Sequence, residues 1–332
     1  MERAEMTIGR LMEISGAYWG SFAVHAAVKL DIFTIIGNEV LGCEEIARRI
    51  KGNIRGVATL LNALAAMGLL DKSDDKFANT LFSSEYLCRS LPQYMGHIIM
   101  HYMHLVDSWR RLDQAVIKGR QTRPRSSMRG EEEREAFLMG MFNIAMGQAP
   151  GAVKEIDLSG RKHLLDLGGG PGTWAIHFCL ANDGLRATVF DLSSTRPFAE
   201  KTIAGFGLSK RIDFMEGDYH KNKIKGKYDV AWLSQILHGE GPESCRRMIR
   251  KAVSVLEPGG LIFVHEFILN NDMAGPLHPA LFSLNMLTGT KSGRSYSEEQ
   301  IMDMLRDAGA MDLKRLPFRS PNDSGIVAGT IP

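Results

Sequence analysis

Residues 163–172 constrain the fold more than any other part of the chain, because they read HLLDLGGGPG. A short apolar run that leads through an acid into four glycines is typical of a buried strand entering a tight turn. Residues 173–180 then place apolar side chains at helical spacing. Strand, glycine turn and helix open the nucleotide-binding α/β unit, in which the backbone approaches a ligand closely. The stretch therefore predicts an α/β domain with a ligand site at the turn.

The spacing of the glycines distinguishes between two kinds of cofactor. The dinucleotide pattern Gly-x-Gly-x-x-Gly, started at Gly168, would need a third glycine where Thr173 stands. The chain instead offers an acid and three glycines at alternate positions, Asp166, Gly168, Gly170 and Gly172. This pattern resembles the first motif of class I S-adenosylmethionine methyltransferases, in which the turn lies against the methionine part of the cofactor. The alternative is a glycine-rich turn that binds no ligand.

Further strand-like segments follow the glycine turn and alternate with helical ones. They cover residues 187–191, 211–218, 228–238 and 260–266. Continuous apolar strands separated by helices indicate a buried parallel sheet, so we predict a Rossmann-like, doubly wound, mostly parallel α/β sheet. Ligands of such sheets bind at the carboxyl ends of the strands. The polar side chains that we place at those ends are Asp166, Asp191, Asp218, His238 and Glu266.

The acid that ends the second strand is a candidate for binding the ribose. Asp191 lies 19 residues after Gly172, where a carboxylate can accept both ribose hydroxyls of a nucleoside. The alternative role is the N-cap of the following helix, which Asp also serves well. Asp218 would lie near the adenine amino group. The full set of predicted cofactor contacts is Asp166, Gly168, Gly170, Gly172, Asp191, Leu192, Gly217, Asp218, Tyr219 and Ser234, with Phe142 and Met146 from the preceding helix.

The sequence pattern of the first 120 residues predicts a predominantly helical module. Residues 7–36 have apolar positions at helical spacing, and two short helices at 43–50 and 57–67 precede small strands at 69–72 and 76–79. This order is typical of a winged helix, which binds DNA in many proteins. The second helix contains neither Lys nor Arg, whereas a recognition helix presents basic and polar side chains to the groove. We therefore predict a packing module and no nucleic-acid partner.

A helical stretch at 92–120 carries three histidines, His97, His101 and His104, on one face. Histidines at such spacing could hold a metal ion, but no acid or cysteine accompanies the three on that face. We therefore predict half-buried or pocket-lining histidines and no metal site. Residues 118–134 then read as a linker. Helical spacing resumes at 137–146, and leads to Pro150 and Gly151. The predicted domains are a dimerisation domain at 1–120, a linker and connecting helix at 121–150, and a catalytic domain at 151–332.

Charge and cysteine usage limit the possible partners and compartments. A net charge of +2 gives no bulk attraction to nucleic acid or to an anionic membrane. No run of 18 apolar residues is present, so no membrane span is expected. The four cysteines lack paired spacing, which favours a reducing compartment, and the first residues lack a signal-peptide pattern. We expect a cytoplasmic protein without a membrane partner.

Residues 163–331 resemble the catalytic domain of class I O-methyltransferases related to caffeic acid and acetylserotonin (hydroxyindole) O-methyltransferases. The resemblance rests on Leu237-His238, the acid-rich stretch after it, and EPGG at 257–260, which are similar to that family's LHDWSDEDC…LKPGG. Residues 7–120, including AAVKLDIF at 26–33, resemble its dimerisation domain. The resemblance implies S-adenosylmethionine as the cofactor, a homodimer, and methylation of a hydroxyl on a small aromatic acceptor.

The family's catalytic base matches His238, and the residue that orients it matches Glu266, 28 residues later. A phenol has a pKa of about 10 and is mostly un-ionised at neutral pH. A neutral imidazole can take its proton while the oxygen attacks the sulfonium methyl. The resemblance also implies that Phe142 and Met146 cover the cofactor and the acceptor, with plain core packing as the alternative.

Three positions depart from the family pattern. The Asp and Trp that follow the histidine are Gly239 and Glu240, and the plant enzymes' Lys near the cofactor is Ser234. Whether Glu240 replaces the missing acid stays open. Two other functions are compatible with these departures: a C-methyltransferase acting on a tetrapyrrole or polyketide ring, and a winged-helix regulator that uses the cofactor fold as a sensor.

Overall fold

The computed structural model of the protein describes residues 5–91, 93–122 and 130–332. The chain forms two compact units. The first comprises the described residues up to 105 together with Glu135–Asn143, and the second comprises the other described residues. Within the described ranges, no helix is both long and apolar enough to cross a lipid bilayer.

The first unit contains the predicted order of helix, helix and hairpin. Its helices are α1 (Ile8–Gly16), α2 (Tyr18–Lys29), α3 (Ile32–Ile36), α4 (Cys43–Ile50), α5 (Ile54–Ala66) and α6 (Leu81–Tyr86), and α7 (Gly96–Trp109) begins in it. Its strands are β1 (Leu41–Gly42), β2 (Leu70–Ser73) and β3 (Lys76–Asn79), in the sheet order β1-β3-β2. Ile46, Leu61 and Phe77 lie in its buried core. Helix α5 starts earlier than predicted and includes Arg55 in its first turn.

The predicted helical stretch at 7–36 is divided into three helices. Helix α2 ends at Lys29, and Asp31 adopts a left-handed φ of 57°, which interrupts helical hydrogen bonding before α3. The interruption is local, and an apolar pattern with helical spacing on both sides does not reveal it.

Helix α8 (Leu112–Lys118) is followed by α9 (Gly130–Lys154), which begins within the predicted linker at 118–134. Helix α9 corrects the prediction at both ends. The acidic residues 131–133, assigned to the linker, form the first turn of α9, where carboxylates stabilise the positive end of the helix dipole. At the other end, Pro150 lies inside the helix and does not terminate it. Proline removes one helical hydrogen bond, and packing of the flanking Ala149 and Ala152 in the core keeps the helix continuous.

The second unit alternates strands and helices from residue 163 onward. In chain order these are β4 (His163–Leu167), α10 (Thr173–Ala181), β5 (Arg186–Asp191), α11 (Arg196–Gly205), β6 (Ile212–Glu216), β7 (Tyr228–Ser234), α12 (Pro242–Val253), β8 (Leu256–Leu269), α13 (Leu277–Gly289), β9 (Tyr296–Ser297), α14 (Glu298–Arg306), β10 (Met311–Arg319) and β11 (Ser324–Thr330).

The main sheet has the strand order β10-β11-β8-β7-β4-β5-β6, which confirms the predicted doubly wound α/β fold. Strands β4 to β8 pair in parallel, and β11 and β10 are added antiparallel at the β8 side. A buried core lies on each face of this sheet. The side chains of successive strand residues pack into opposite cores: Trp232 belongs to one and Leu233 to the other. The short β9 pairs with the end of β8.

Three strands end at positions other than those predicted. Strand β6 stops at Glu216, so Asp218 lies in the loop beyond it, and β7 stops at Ser234. The reason at β7 is Gln235, whose positive φ of 53° leaves the strand conformation. Strand β8 is longer than predicted and runs from Leu256 to Leu269, so Glu266 lies before its end.

Candidate active site

The turn between β4 and α10 requires glycine. The φ angles are 68° at Gly168, 55° at Gly170 and 80° at Gly172, all in the left-handed region that residues with a Cβ rarely adopt. A Cβ on Gly168 would also lie 2.7 Å from the Ile236 side chain, in the segment after β7. The alternate glycines thus keep the backbone of this turn open at the carboxyl edge of the sheet, beside the residues that follow β7.

Asp166 lies beneath this turn as a buried acid with an unused oxygen. Its Oδ2 accepts the backbone N–H of Ala175 at 3.2 Å, while its Oδ1 has no hydrogen-bond partner among the described residues. Burial raises the pKa of Asp166 to about 7, and the nearby Asp191 carboxylate also raises it. A Cβ on Gly169 would lie 2.5 Å from the Asp166 carboxyl carbon, so the turn wraps closely around the acid.

Asp191 at the end of β5 joins the turn to the next helical segment. Its Oδ2 accepts the Gly170 N–H at 2.8 Å, and its Oδ1 accepts the Leu192 N–H at 2.6 Å and the Thr195 hydroxyl at 3.2 Å. Burial raises the pKa of Asp191, and these three hydrogen bonds oppose that rise. The carboxylate therefore ties the glycine turn to the segment after β5, although it caps neither of the helical segments that follow. Leu192 beside it is 51% exposed.

The loop after β6 carries the other predicted nucleoside contacts. The Gly217 N–H donates to the Asp191 carbonyl at 2.8 Å, and a Cβ on Gly217 would overlap the Phe190 ring. Asp218 accepts the His220 N–H at 2.8 Å, and although burial raises its pKa, this bond and Lys221 hold the pKa below its usual range. The loop is thus fixed directly beside Asp191.

His238 and Glu266 meet as the sequence predicts. His238 lies in a short turn after β7, and its Nδ1 is 2.8 Å from Oε2 of Glu266 on β8. The other oxygen of Glu266, Oε1, accepts the backbone N–H groups of Leu237 at 2.8 Å and His238 at 3.2 Å, and Oε2 also accepts that of Phe267 at 3.2 Å. Glu266 is 1% exposed, so one buried carboxylate fixes both the backbone and the ring of His238.

Aromatic rings line the side of His238. Phe282 of α13 meets the His238 ring edge-on with centroids 4.8 Å apart, and Phe267 lies 5.9 Å from it. His278 packs against Phe267 at 4.9 Å, and burial lowers the pKa of its imidazole. No spacing in the sequence singles out these three residues: Phe282 and His278 lie on an apolar helix without catalytic spacing, and Phe267 follows the predicted end of its strand.

Ser234, the last residue of β7, makes a second buried contact with β8. Its partner there is His265, the residue before Glu266. The Ser234 hydroxyl lies 2.9 Å from Nδ1 of His265, whose Nε2 lies 2.8 Å from the hydroxyl of Ser324. His265 is fully buried, and burial, together with the charge of Arg315, lowers its pKa to about 3. The adjacent residues His265 and Glu266 thus hold opposite ends of the segment 234–238.

Glu240 points toward the loop after β6. Its Oε1 lies 3.1 Å from Nε2 of His220 and accepts a hydrogen bond from the Tyr219 hydroxyl at 3.4 Å. Tyr219, a predicted cofactor contact, is therefore attached to the segment that follows His238. His220 and Glu240 form a second histidine–glutamate pair close to the first one in sequence.

The residues predicted on the helical segments lie in different units. Met146 places its sulfur 3.3 Å from Nε2 of His177 on α10, and Phe142 is buried within the first unit. In that unit, His97 packs beside Tyr94 with centroids 5.2 Å apart, and His101 packs beside Phe137 at 5.3 Å. His104 lies on the same helix α7. The described part of the chain contains no cluster of three or more His, Cys, Asp or Glu side chains that could hold a metal ion.

Two family models match this chain. One, described as an O-methyltransferase domain, matches residues 109–311, and the other, described as an O-methyltransferase dimerisation domain, matches residues 12–92. Together they span both halves of the chain.

Individual relatives agree with these matches. The 3-hydroxy-5-methyl-1-naphthoate 3-O-methyltransferase of Streptomyces sahachiroi is 31% identical over 325 residues, covering 96% of this chain and 94% of the relative. A solved O-methyltransferase family protein from Burkholderia thailandensis is 28% identical with a TM-score of 0.87 and 99% coverage of both chains. Human N-acetylserotonin methyltransferase in complex with S-adenosylmethionine is 25% identical with a TM-score of 0.87, covering 100% of this chain and 99% of that one.

Proposed function

Because this chain belongs to the S-adenosylmethionine-dependent O-methyltransferase family, we propose that it methylates a hydroxyl of a small aromatic acceptor with His238 as the general base. The observation that carries the proposal is the contact of 2.8 Å between Nδ1 of His238 and Oε2 of Glu266. Incubation with methyl-labelled S-adenosylmethionine and a hydroxynaphthoate, followed by mass spectrometry of the product, tests it. The expected product is a methyl ether of the acceptor, and a methyl group on carbon would contradict the proposal.

The Glu266 contact decides which nitrogen of His238 can act. A carboxylate only accepts hydrogen bonds, so Nδ1 carries the hydrogen and Nε2 keeps its lone pair. In the reaction, Nε2 takes the hydroxyl proton of the acceptor as the oxygen attacks the methyl carbon. The carbon–sulfur bond breaks, its electron pair stays on sulfur, and S-adenosylhomocysteine leaves as a neutral thioether.

Positioning supplies the rest of the proposed catalysis. The acceptor oxygen, the methyl carbon and the sulfur must lie in line. Holding two reactants in such an orientation raises their effective concentration and therefore the rate. The rigid segment from Ser234 to His238, fixed from both ends by His265 and Glu266, is suited to hold the base at one place. The rings of Phe267 and Phe282 offer an apolar surface beside it for a flat acceptor and for excluding water.

The cofactor contacts are proposed from groups that the fold leaves available. The unused Oδ1 of Asp166 and the open glycine turn suit the methionine end of S-adenosylmethionine. Asp191, Leu192 and the fixed loop of Gly217 suit the nucleoside end, because a carboxylate and an exposed apolar side chain stand together there.

An Asp191→Ala variant should bind S-adenosylhomocysteine at least about tenfold more weakly, since a hydrogen bond to a charged group contributes about 1.5–3 kcal/mol. Titration calorimetry measures this. The control is Thr195→Ala, which removes one hydrogen bond that Asp191 accepts and leaves the carboxylate in place. Should both variants lose melting temperature equally and keep full affinity, the role of Asp191 would be structural alone.

We propose that residues 1–120 form a homodimer interface. Helix α1 buries none of its own residues, and apolar side chains on α1 and α2 are largely exposed, including Ile8 at 84% and Trp19 at 71%. Exposed apolar surface of this extent usually marks a partner surface. Light scattering at low micromolar concentration should give roughly twice the chain mass of 36.8 kDa without added cofactor. A monomer at that concentration would contradict the proposal.

A further inference from the structure

Gln235 holds an unusual backbone conformation in the segment that leads from β7 to His238. Its φ of 53° is in the left-handed region, which a residue with a Cβ adopts only at a cost in free energy. Its N–H donates to the His265 carbonyl at 2.8 Å, which fixes this conformation. Glycine would adopt the same angle without strain, so the side chain of Gln235 needs an explanation of its own.

The amide nitrogen of that side chain has no hydrogen-bond partner among the described residues. This nitrogen, Nε2, is also shielded from solvent. A buried donor without a partner destabilises the folded state, and buried polar groups are nearly always paired. Gln148, in the same unit, has a paired amide nitrogen by contrast: its Nε2 donates to Oδ1 of Asn322 at 3.1 Å.

The position of Gln235 links this donor to the proposed reaction. The next residue, Ile236, packs against Gly168 of the glycine turn, and His238 follows two residues later. The neighbours on both sides are held, Ser234 by the His265 ring and His238 by Glu266. A rigid segment thus carries one unused N–H donor at the same edge of the sheet as the proposed base.

We propose that the Gln235 amide binds a second oxygen of the acceptor, a hydroxyl, keto or carboxyl oxygen next to the hydroxyl that is methylated. The inference rests on the proposed function. The reacting oxygen itself is a poor partner, since a donor that binds its lone pairs lowers its nucleophilicity. A neighbouring oxygen gains a hydrogen bond and also orients the ring. The acceptor class is therefore an aromatic ring with two adjacent oxygen substituents.

The first test compares two glutamine variants by thermal unfolding. Gln235→Met removes an unpaired donor and keeps the length of the side chain, so its melting temperature should equal or exceed that of the wild type. Gln148→Met removes a paired amide and should lower the melting temperature. If Gln235→Met lowers it as much as Gln148→Met does, the Gln235 amide has a partner in the folded chain and the inference is overturned.

The second test compares acceptors by kcat/KM. The probes are 2-naphthol, with one oxygen, and 2,3-dihydroxynaphthalene and 3-hydroxy-2-naphthoate, with two. The wild type should prefer the two-oxygen probes by about tenfold or more, because a site built to bind a polar group discriminates against the analogue that lacks it. In Gln235→Met this preference should disappear, whereas Gln148→Met should keep it.

Each other outcome has a definite meaning. Equal wild-type activity on all three probes overturns the inference and leaves the proposed function standing. Weaker binding of S-adenosylhomocysteine by Gln235→Met, with the preference kept, means that the amide binds the cofactor and not the acceptor. If the wild type methylates none of the probes and none raises the melting temperature of its S-adenosylhomocysteine complex, both the proposed function and the inference fail for this acceptor class.

Discussion

A His238→Ala variant should keep its affinity for S-adenosylhomocysteine and lose about 10²–10⁴ in turnover, the usual contribution of a positioned acid–base group. The affinity should persist because the proposed cofactor contacts come from β4, β5 and the loop after β6. The variant should regain activity as the pH rises toward the pKa of the phenol, about 10, since solvent then supplies the phenolate. Single-turnover kinetics over a range of pH, with calorimetry of S-adenosylhomocysteine binding, would measure both effects.

The matched control is His220→Ala. His220 is also a histidine beside a glutamate, with its Nε2 3.1 Å from Oε1 of Glu240, and it is closer to solvent. The His220→Ala variant should retain near-normal turnover. Loss of turnover in His220→Ala but not in His238→Ala would transfer the role of base to the second pair.

A Glu266→Gln variant should also lose about 10²–10⁴ in turnover while it remains folded. The amide oxygen can still accept the N–H groups of Leu237 and His238 that Oε1 accepts in the wild type. The amide nitrogen then faces Nδ1 of His238 as a donor, which forces the ring hydrogen onto Nε2. An imidazole with that tautomer has no lone pair toward the acceptor, so it cannot take the proton.

Glu240→Gln provides the comparison for this variant. Glu240 is also a buried glutamate beside a histidine, and it contacts Tyr219 and His220. The turnover of Glu240→Gln should change little. The tautomer shift in Glu266→Gln can be observed directly by nitrogen NMR of the labelled histidine. Full turnover with the hydrogen on Nε2 would show that His238 does not act as the base, leaving positioning to explain the reaction.

The parallel part of the fold could be predicted because its signals are local. The glycines at 168, 170 and 172 indicate a backbone conformation that residues with a Cβ adopt only at a cost in free energy. Strands β4, β5 and β7 are short, mostly apolar runs. The pairing of His238 with Glu266 followed from the resemblance to a known family, and the strand order brings the two residues together. Adjacent parallel strands place their carboxyl ends side by side, so a spacing of 28 residues becomes a contact.

Other features leave no local signal. His265 reads as an odd polar residue in an apolar strand, and its partners Ser234 and Ser324 lie 31 and 59 residues away in sequence. The Pro258-Gly259 pair indicates a turn. In the structure it lies inside β8, where the six residues from Leu256 to Leu261 lie opposite only the three residues of β7 from Tyr228 to Val230. Only the pairing of whole strands shows that this irregularity lies within one continuous strand.

The continuous register of β8 limits how this chain could be recombined with its relatives. From Leu261 to Phe267, every residue of β8 is matched by one of β11, from Thr330 back to Ser324. Because neighbouring strand residues face opposite sides, losing one residue of this stretch before His265 would put Glu266 where His265 stands. Crossover points for chimeras therefore belong after the strand, in the exposed residues 271–274, where a change of loop length leaves the register intact.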